Sequence, residues 1–107
     1  MVTRETVQQM ANRIAERFHP RRIVLFGSYA RGEATEHSDV DLLIVVRDLP
    51  LRGKRSAPII RMLAEEYHVP VDVIVRSEAT LTEWKDVYGT FSNRVSEEGI
   101  VLYEEAE

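Results

Sequence analysis

Apolar residues in the first part of the chain recur with the period of a helix. They fall at spacings of three and four on one face: Val7, Met10, Ala11, Ile14, Ala15 and Phe18. A stripe of this kind is typical of an amphipathic helix that packs against a core. Thr3 is a suitable N-cap for this helix, and Pro20 stops it shortly after its last apolar residue.

Short apolar runs bounded by turn residues predict strands further along the chain. The first run covers residues 23–26 and ends at Gly27, and the second covers residues 40–46. A third lies at residues 71–75 and a last short one at 100–103. The second run is rich in β-branched residues, which favour extended structure.

Three further helices complete the predicted elements. One covers residues 57–67, and another covers 91–98, with Gly99 as its stop. Thr80 and Glu83 have the spacing of a capping box and predict a short helix that carries Trp84. Helices and strands alternate, so we expect an α/β or α+β fold. The pattern does not determine the order of the strands in the sheet.

Composition narrows the class of protein. A chain of 107 residues, with 44% hydrophobic and 30% charged residues, fits one soluble globular domain that covers residues 1–107. It contains no cysteine, which excludes disulfides and thiolate metal sites and suits the cytoplasm. We expect no signal peptide, and no stretch is long enough to span a membrane.

The net charge of −4 argues against direct, sequence-independent nucleic-acid binding, which needs an excess of Lys and Arg. A polyanionic ligand therefore has to be held locally, by metal ions or by a small basic cluster.

A pair of aspartates opens the second predicted strand. Side chains two residues apart in a strand lie on the same face, so Asp39 and Asp41 project together. Like charges placed beside a core favour a neutralising cation, and carboxylate oxygens are ligands that Mg²⁺ prefers. The alternative is a pair of solvated carboxylates, with Ser38 and Asp39 forming a turn.

A Gly-Ser pair follows the first predicted strand. Gly27 allows a positive φ and a close approach of ligand to backbone, and Ser28 adds a hydroxyl donor. A helix that opens here presents free N–H groups to a phosphate, and Arg31 follows about one turn later. The alternative is an ordinary strand-to-helix turn with a serine cap.

Asp72 interrupts the third apolar strand. Burying an unpaired carboxylate is costly, so we expect either a third metal-binding or proton-accepting acid near Asp39 and Asp41, or an edge-strand side chain that faces water.

These features together resemble the DNA polymerase β-like nucleotidyltransferase superfamily. Its signature of Gly-Ser, ten residues and Asp-x-Asp is matched without a gap by Gly27-Ser28 and Asp39-Val40-Asp41. The stretch GSYARGEATEHSDVDLLIVV, residues 27–46, resembles the minimal nucleotidyltransferase (MNT) group of that superfamily. The resemblance implies a small mixed β-sheet flanked by helices, as in the palm of polymerase β.

The resemblance also implies a role for each matching residue. Asp39 and Asp41 are expected to bind Mg²⁺, as two ions, and Asp72 is expected to share a metal or activate the acceptor hydroxyl. The expected nucleotide contacts are Gly27, Ser28, Arg31 and Ser38.

MNT proteins are commonly antitoxins that silence a HEPN-family ribonuclease toxin by transferring AMP from ATP to a toxin tyrosine. The resemblance therefore implies ATP as donor and a HEPN-type toxin as partner. A second chain, either a partner protein or another copy of this one, is expected to complete the site. A non-catalytic antitoxin that occludes its partner and an aminoglycoside-type small-molecule enzyme remain alternatives.

Other conspicuous side chains have structural interpretations. The three histidines, His19, His37 and His68, lack metal-ligand spacing and are expected at the surface. Trp84 and Tyr88 are expected to pack rather than to stack on a base. The basic residues Arg52, Lys54 and Arg55 are interpreted as a solvated loop.

Overall fold

A computed structural model describes residues 2–47 and 56–106 of the chain. Its elements are α1 (Arg4–Phe18), β1 (Arg22–Phe26), α2 (Gly27–Arg31), β2 (Val40–Val46), α3 (Ser56–Tyr67), β3 (Val71–Ser77), α4 (Glu78–Trp84), α5 (Phe91–Glu98) and β4 (Ile100–Glu104). The basic residues at 52–55 lie outside the described part. No helix within the described residues is long and apolar enough to cross a membrane.

The four strands form one mixed sheet in the order β3-β2-β1-β4. β1 lies antiparallel to both β2 and β4, whereas β2 and β3 are parallel. The pairing of β1 with β4 shifts between Ile23 and Val24. The expected small mixed sheet flanked by helices is confirmed.

The first helix forms as predicted. The Thr3 hydroxyl accepts a hydrogen bond from the Thr6 N–H at 3.1 Å, and the helix ends at His19, whose φ is 50°. The stripe residues Val7, Met10, Ala11 and Ile14 are fully buried.

The sheet is covered on both faces, which explains why β2 is apolar along most of its length. Val40, Leu42 and Ile44 contribute to the larger core, beneath α1 and α3. Leu43 and Val45 point to the other face, where they pack with residues of β1, β3, α4 and α5. Asp41 lies on this second face, because side chains alternate along a strand.

The predicted capping box at Thr80 and Glu83 is wrong. β3 continues to Ser77, and α4 begins directly after it. The Ser77 hydroxyl accepts a hydrogen bond from the Thr80 N–H at 3.2 Å, so Ser77 is the N-cap and Thr80 is already helical. The Thr-x-x-Glu spacing therefore lies inside a helix that an earlier serine caps.

Trp84 and Tyr88 do not pack as expected. Trp84, the last residue of α4, is 46% exposed, and Tyr88, in the turn between α4 and α5, is 96% exposed. Thr90 stabilises this turn, because its hydroxyl lies 3.0 Å from the Trp84 carbonyl and 2.8 Å from that of Val87. Both side chains are exposed rather than packed in either core. The three histidines are exposed, as predicted.

Candidate active site

The sheet register places two of the predicted acids side by side. Asp41 pairs with Asp72 across the parallel strands β2 and β3, and with Phe26 across β1. Residues paired in register lie on the same face of a sheet, so the two carboxylates are neighbours. Asp39 lies two residues before Asp41, just outside β2.

The pKa of the Asp41 carboxyl is raised by burial and by the neighbouring acids. This pKa is raised to about 6; burial is the largest cause, and the charges of Asp72 and Asp39 add to it. The positive charge of Arg31 acts in the opposite direction. The three aspartates thus interact electrostatically, and their arrangement favours a cation.

Asp72 does not carry the burial cost that its sequence context suggested. It is exposed, because β3 is an edge strand and Asp72 lies near its exposed start. The expectation of an edge-strand side chain is therefore met, and the same residue also lies beside Asp41. Asp39 is exposed as well, whereas Asp41 is partly buried.

The carboxylates do not form a closed ligand set. Within residues 2–47 and 56–106, no group of three acidic, histidine or cysteine side chains could hold a metal ion by itself. The assignment of Asp39, Asp41 and Asp72 as metal ligands therefore stays a prediction.

Gly27 is required by the position of Asp41. Its φ is +73°, and a β-carbon added to it would overlap Asp41 Oδ2 and lie 3.0 Å from Cγ. The sequence indicated a close approach of ligand to this backbone, whereas the structure shows that Asp41 itself makes one. The missing side chain lets the carboxylate lie against the junction of β1 and α2.

The other residues predicted to contact nucleotide, Ser28, Ser38 and Arg31, differ in the groups that surround their side chains. The Ser28 hydroxyl, at the opening of α2, makes no hydrogen bond to any part of the chain that the structure describes. Ser38 Oγ accepts a hydrogen bond from the Thr35 N–H at 2.8 Å and is engaged in a turn before Asp39. Arg31 lies close enough to influence the charge of Asp41. Their contacts with nucleotide stay predictions.

A cleft of about 310 Å³ lies between α2 and α5, and Gly27 forms part of its wall. Phe26 and Phe91 line it and meet edge to face, with ring centroids 5.2 Å apart and an angle of 83° between the rings. Arg94 lines it from α5. Nothing in the sequence places α5 over the end of β1, so the position of Phe91 and Arg94 at this cleft could not be predicted.

Comparison with known proteins identifies the family. The profile of the nucleotidyltransferase domain matches residues 7–102. The chain belongs to this family. The nucleotidyltransferase assignment implied by the Gly-Ser and Asp-x-Asp signature is confirmed.

One relative resembles this nucleotidyltransferase over almost its whole length. A provisionally named protein adenylyltransferase of Methanocaldococcus jannaschii is 35% identical over 108 aligned positions, which cover 92% of this chain and 96% of the relative.

Solved structures share the fold. A toxin–antitoxin complex with AMP-PNP contains a chain with a TM-score of 0.64 and 20% identity, and the match covers 92% of this nucleotidyltransferase and 73% of that chain. A complex of a tri-AMPylated Shewanella oneidensis HEPN toxin with its MNT antitoxin gives a TM-score of 0.56 and 21% identity, with coverage of 92% and 73%.

Proposed function

We propose that this nucleotidyltransferase transfers AMP from ATP to a hydroxyl group of a partner protein, and that it acts as the antitoxin of a HEPN-type toxin. The observation that carries the proposal is the cluster of Asp39, Asp41 and Asp72 beside Gly27 and Ser28. Acidic ligands for a cation and a backbone turn suited to phosphate are thus combined at one end of the sheet.

The donor set fits Mg²⁺. All three side chains offer carboxylate oxygens, and burial together with the charges of Asp72 and Asp39 raises the pKa of Asp41, a cost that a bound cation would relieve. Mg²⁺ is commonly held by one or two carboxylates together with water and substrate phosphates, so an incomplete protein ligand set is sufficient. When bound, Mg²⁺ supplies charge neutralisation at the carboxylates and the phosphates.

The chain's own residues orient the reaction and receive its proton. Gly27 and Ser28 hold the phosphates through backbone N–H groups and a hydroxyl. The acceptor oxygen attacks the α-phosphorus in line, the bond to pyrophosphate breaks, and pyrophosphate leaves. Asp72 is exposed on the edge strand β3, so an incoming protein hydroxyl can reach it, and the family resemblance gives this residue the proton-accepting role. It accepts the proton that the acceptor loses.

Donor and acceptor are inferred from relatives. The Methanocaldococcus relative is named as a protein adenylyltransferase, one structural neighbour was solved with AMP-PNP, and another accompanies an AMPylated toxin. These names support ATP as donor and a protein as acceptor, and a toxin tyrosine is the proposed target. This role places the protein in the cytoplasm beside its toxin.

Transfer of label from α-³²P-ATP to a co-purified HEPN-type toxin tests the proposal. We expect Asp39→Ala and Asp41→Ala each to lower the rate by at least about 100-fold, because each removes a charge that acts on the transferring group. Asp86→Ala is the matched control, since Asp86 is an exposed aspartate in the turn between α4 and α5. It should label the toxin at the wild-type rate.

Labelling that persists in both active-site variants would refute the proposed role of Asp39 and Asp41 in the transfer. Neutralisation of the toxin by variants that transfer no label would instead support the alternative of an occluding antitoxin. Labelling of an aminoglycoside but of no protein would support the small-molecule alternative.

A further inference from the structure

The two arginines of the cleft between α2 and α5 differ in their ionic partners. Arg31 Nε lies 2.7 Å from Glu33 Oε1, and an Arg31 guanidinium nitrogen lies 3.6 Å from Glu98 Oε2. Two carboxylates therefore already compensate the cation that belongs to the signature motif. A phosphate that binds Arg31 has to compete with both of them.

Arg94 has no such partner. It lies on α5 one turn before Glu98, and the described part of the chain contains no carboxylate within ion-pair distance of it. It lines the same cleft as Gly27. Its guanidinium is therefore available to an anion that enters the cleft.

The other residues that line the cleft offer few groups that could bind a phosphate. Phe26, Phe91 and Val95 are apolar, and Glu98 repels an anion unless Arg31 stays with it. The cleft nevertheless begins at Gly27, against which the Asp41 carboxylate lies. A nucleotide whose α-phosphate lies at Asp41 can thus extend its terminal phosphates towards α5.

We propose that Arg94 binds the β- and γ-phosphates of the nucleotide and then the departing pyrophosphate, as a cation outside the Gly-Ser and Asp-x-Asp signature. The inference rests on the proposed function, which supplies the triphosphate. A planar guanidinium can donate two parallel hydrogen bonds to phosphate oxygens. The volume of about 310 Å³ accommodates a group of this size.

Binding of ATP and AMP to Arg94→Ala, measured by calorimetry with Mg²⁺ present, tests the assignment. We expect the Kd for ATP to rise roughly tenfold or more, because a charge-assisted hydrogen-bond pair is lost. The Kd for AMP should not change, since AMP lacks the phosphates that Arg94 contacts. Arg94→Lys keeps the charge but loses the two-pronged geometry, and should fall between the wild type and Arg94→Ala.

Arg61→Ala is the matched control. Arg61 is an exposed arginine on α3, which packs on the opposite face of the sheet, and no carboxylate in the described residues forms an ion pair with it. This variant should bind ATP and AMP like the wild type. Equal thermal unfolding of the two alanine variants would show that both are folded.

Each contrary outcome has a separate meaning. Equal weakening of ATP and AMP in Arg94→Ala would overturn the assignment, because the residue would then support the fold or contact the nucleoside. ATP binding as tight as in Arg61→Ala would overturn it too. Failure of the wild type to bind ATP or label a toxin would refute the proposed function itself.

Discussion

At the scale of single residues, Gly27 and Asp41 depend on each other. The backbone at Gly27 has a positive φ, and its missing side chain leaves room for the Asp41 carboxylate. Gly32 has the same φ of +73° but has no atom within 4 Å of the position that a β-carbon would take. The two glycines therefore separate backbone strain from side-chain overlap.

We expect Gly32→Ala to lower the free energy of unfolding by about 1–2 kcal/mol, the cost of a left-handed conformation for a residue with a β-carbon. Gly27→Ala carries this cost and also displaces Asp41, so its transferase activity should fall roughly 100-fold. Urea unfolding and α-³²P-ATP labelling measure the two effects. Equal activity of the two variants would show that Asp41 tolerates the overlap.

Asp41 also predicts a dependence of stability on pH. Its pKa is raised from 3.8 to about 6, so the folded state binds the proton more tightly than the unfolded state does. This tighter proton binding contributes to the free energy of unfolding. The contribution is fully present below pH 3.8 and is lost as the pH rises through about 6. After a reduction for solvent screening, we expect a loss of about 1–2 kcal/mol.

Asp41→Asn removes this dependence. The variant should be more stable than the wild type by that amount at pH 7.5, and about equally stable at pH 3.5, in urea unfolding with EDTA present. Asp86→Asn, at an exposed turn position, is the control and should follow the wild type at both values. A variant that gains nothing at pH 7.5 would contradict the cost of burying the charged Asp41 carboxylate beside Asp72 and Asp39.

At the scale of elements, the start of α4 shows how a local motif can mislead. Thr80-x-x-Glu83 matches a capping box, but Ser77, three residues earlier, provides the cap in the structure. Both positions offer a hydroxyl, and only the end of β3 decides between them. A strand that continues to Ser77 brings the helix start forward.

The two interpretations predict different mutants. Ser77→Ala should lower the free energy of unfolding by about 1 kcal/mol, because the Thr80 N–H loses its acceptor. Glu83→Ala should have almost no effect, since Glu83 is an exposed residue within α4. Thermal unfolding of the two variants measures the difference. A larger loss of unfolding free energy in Glu83→Ala than in Ser77→Ala would instead support the capping-box interpretation.

At the scale of the whole molecule, the sequence predicted most elements but not their arrangement. Periodicity identified α1, short apolar runs bounded by turn residues identified the four strands, and helices were predicted at the positions of α3, α4 and α5. The pattern contained no information on strand order, since every strand is short and apolar. The resemblance supplied the mixed sheet, and only the register showed that Asp72 faces Asp41.

The same limit applies to the site. Gly27, Ser28, Asp39 and Asp41 lie within one continuous motif, so their proximity could be predicted. Arg94 and Phe91 come from α5, which begins fifty residues after Asp41, and their place beside Gly27 depends on how α5 packs on the second face of the sheet. The exposure of Trp84 and Tyr88 likewise depends on a turn that hydrogen bonds stabilise.

The contact between positions 27 and 41 restricts how this protein can be redesigned. Aspartate is already the shortest acidic amino acid, so a bulkier residue at position 27 cannot be compensated by trimming its neighbour while keeping the charge. A mutagenesis library at the junction therefore has to keep both members of this pair. At position 27 itself, a single hydrogen atom is the largest side chain that preserves both the turn and the acid.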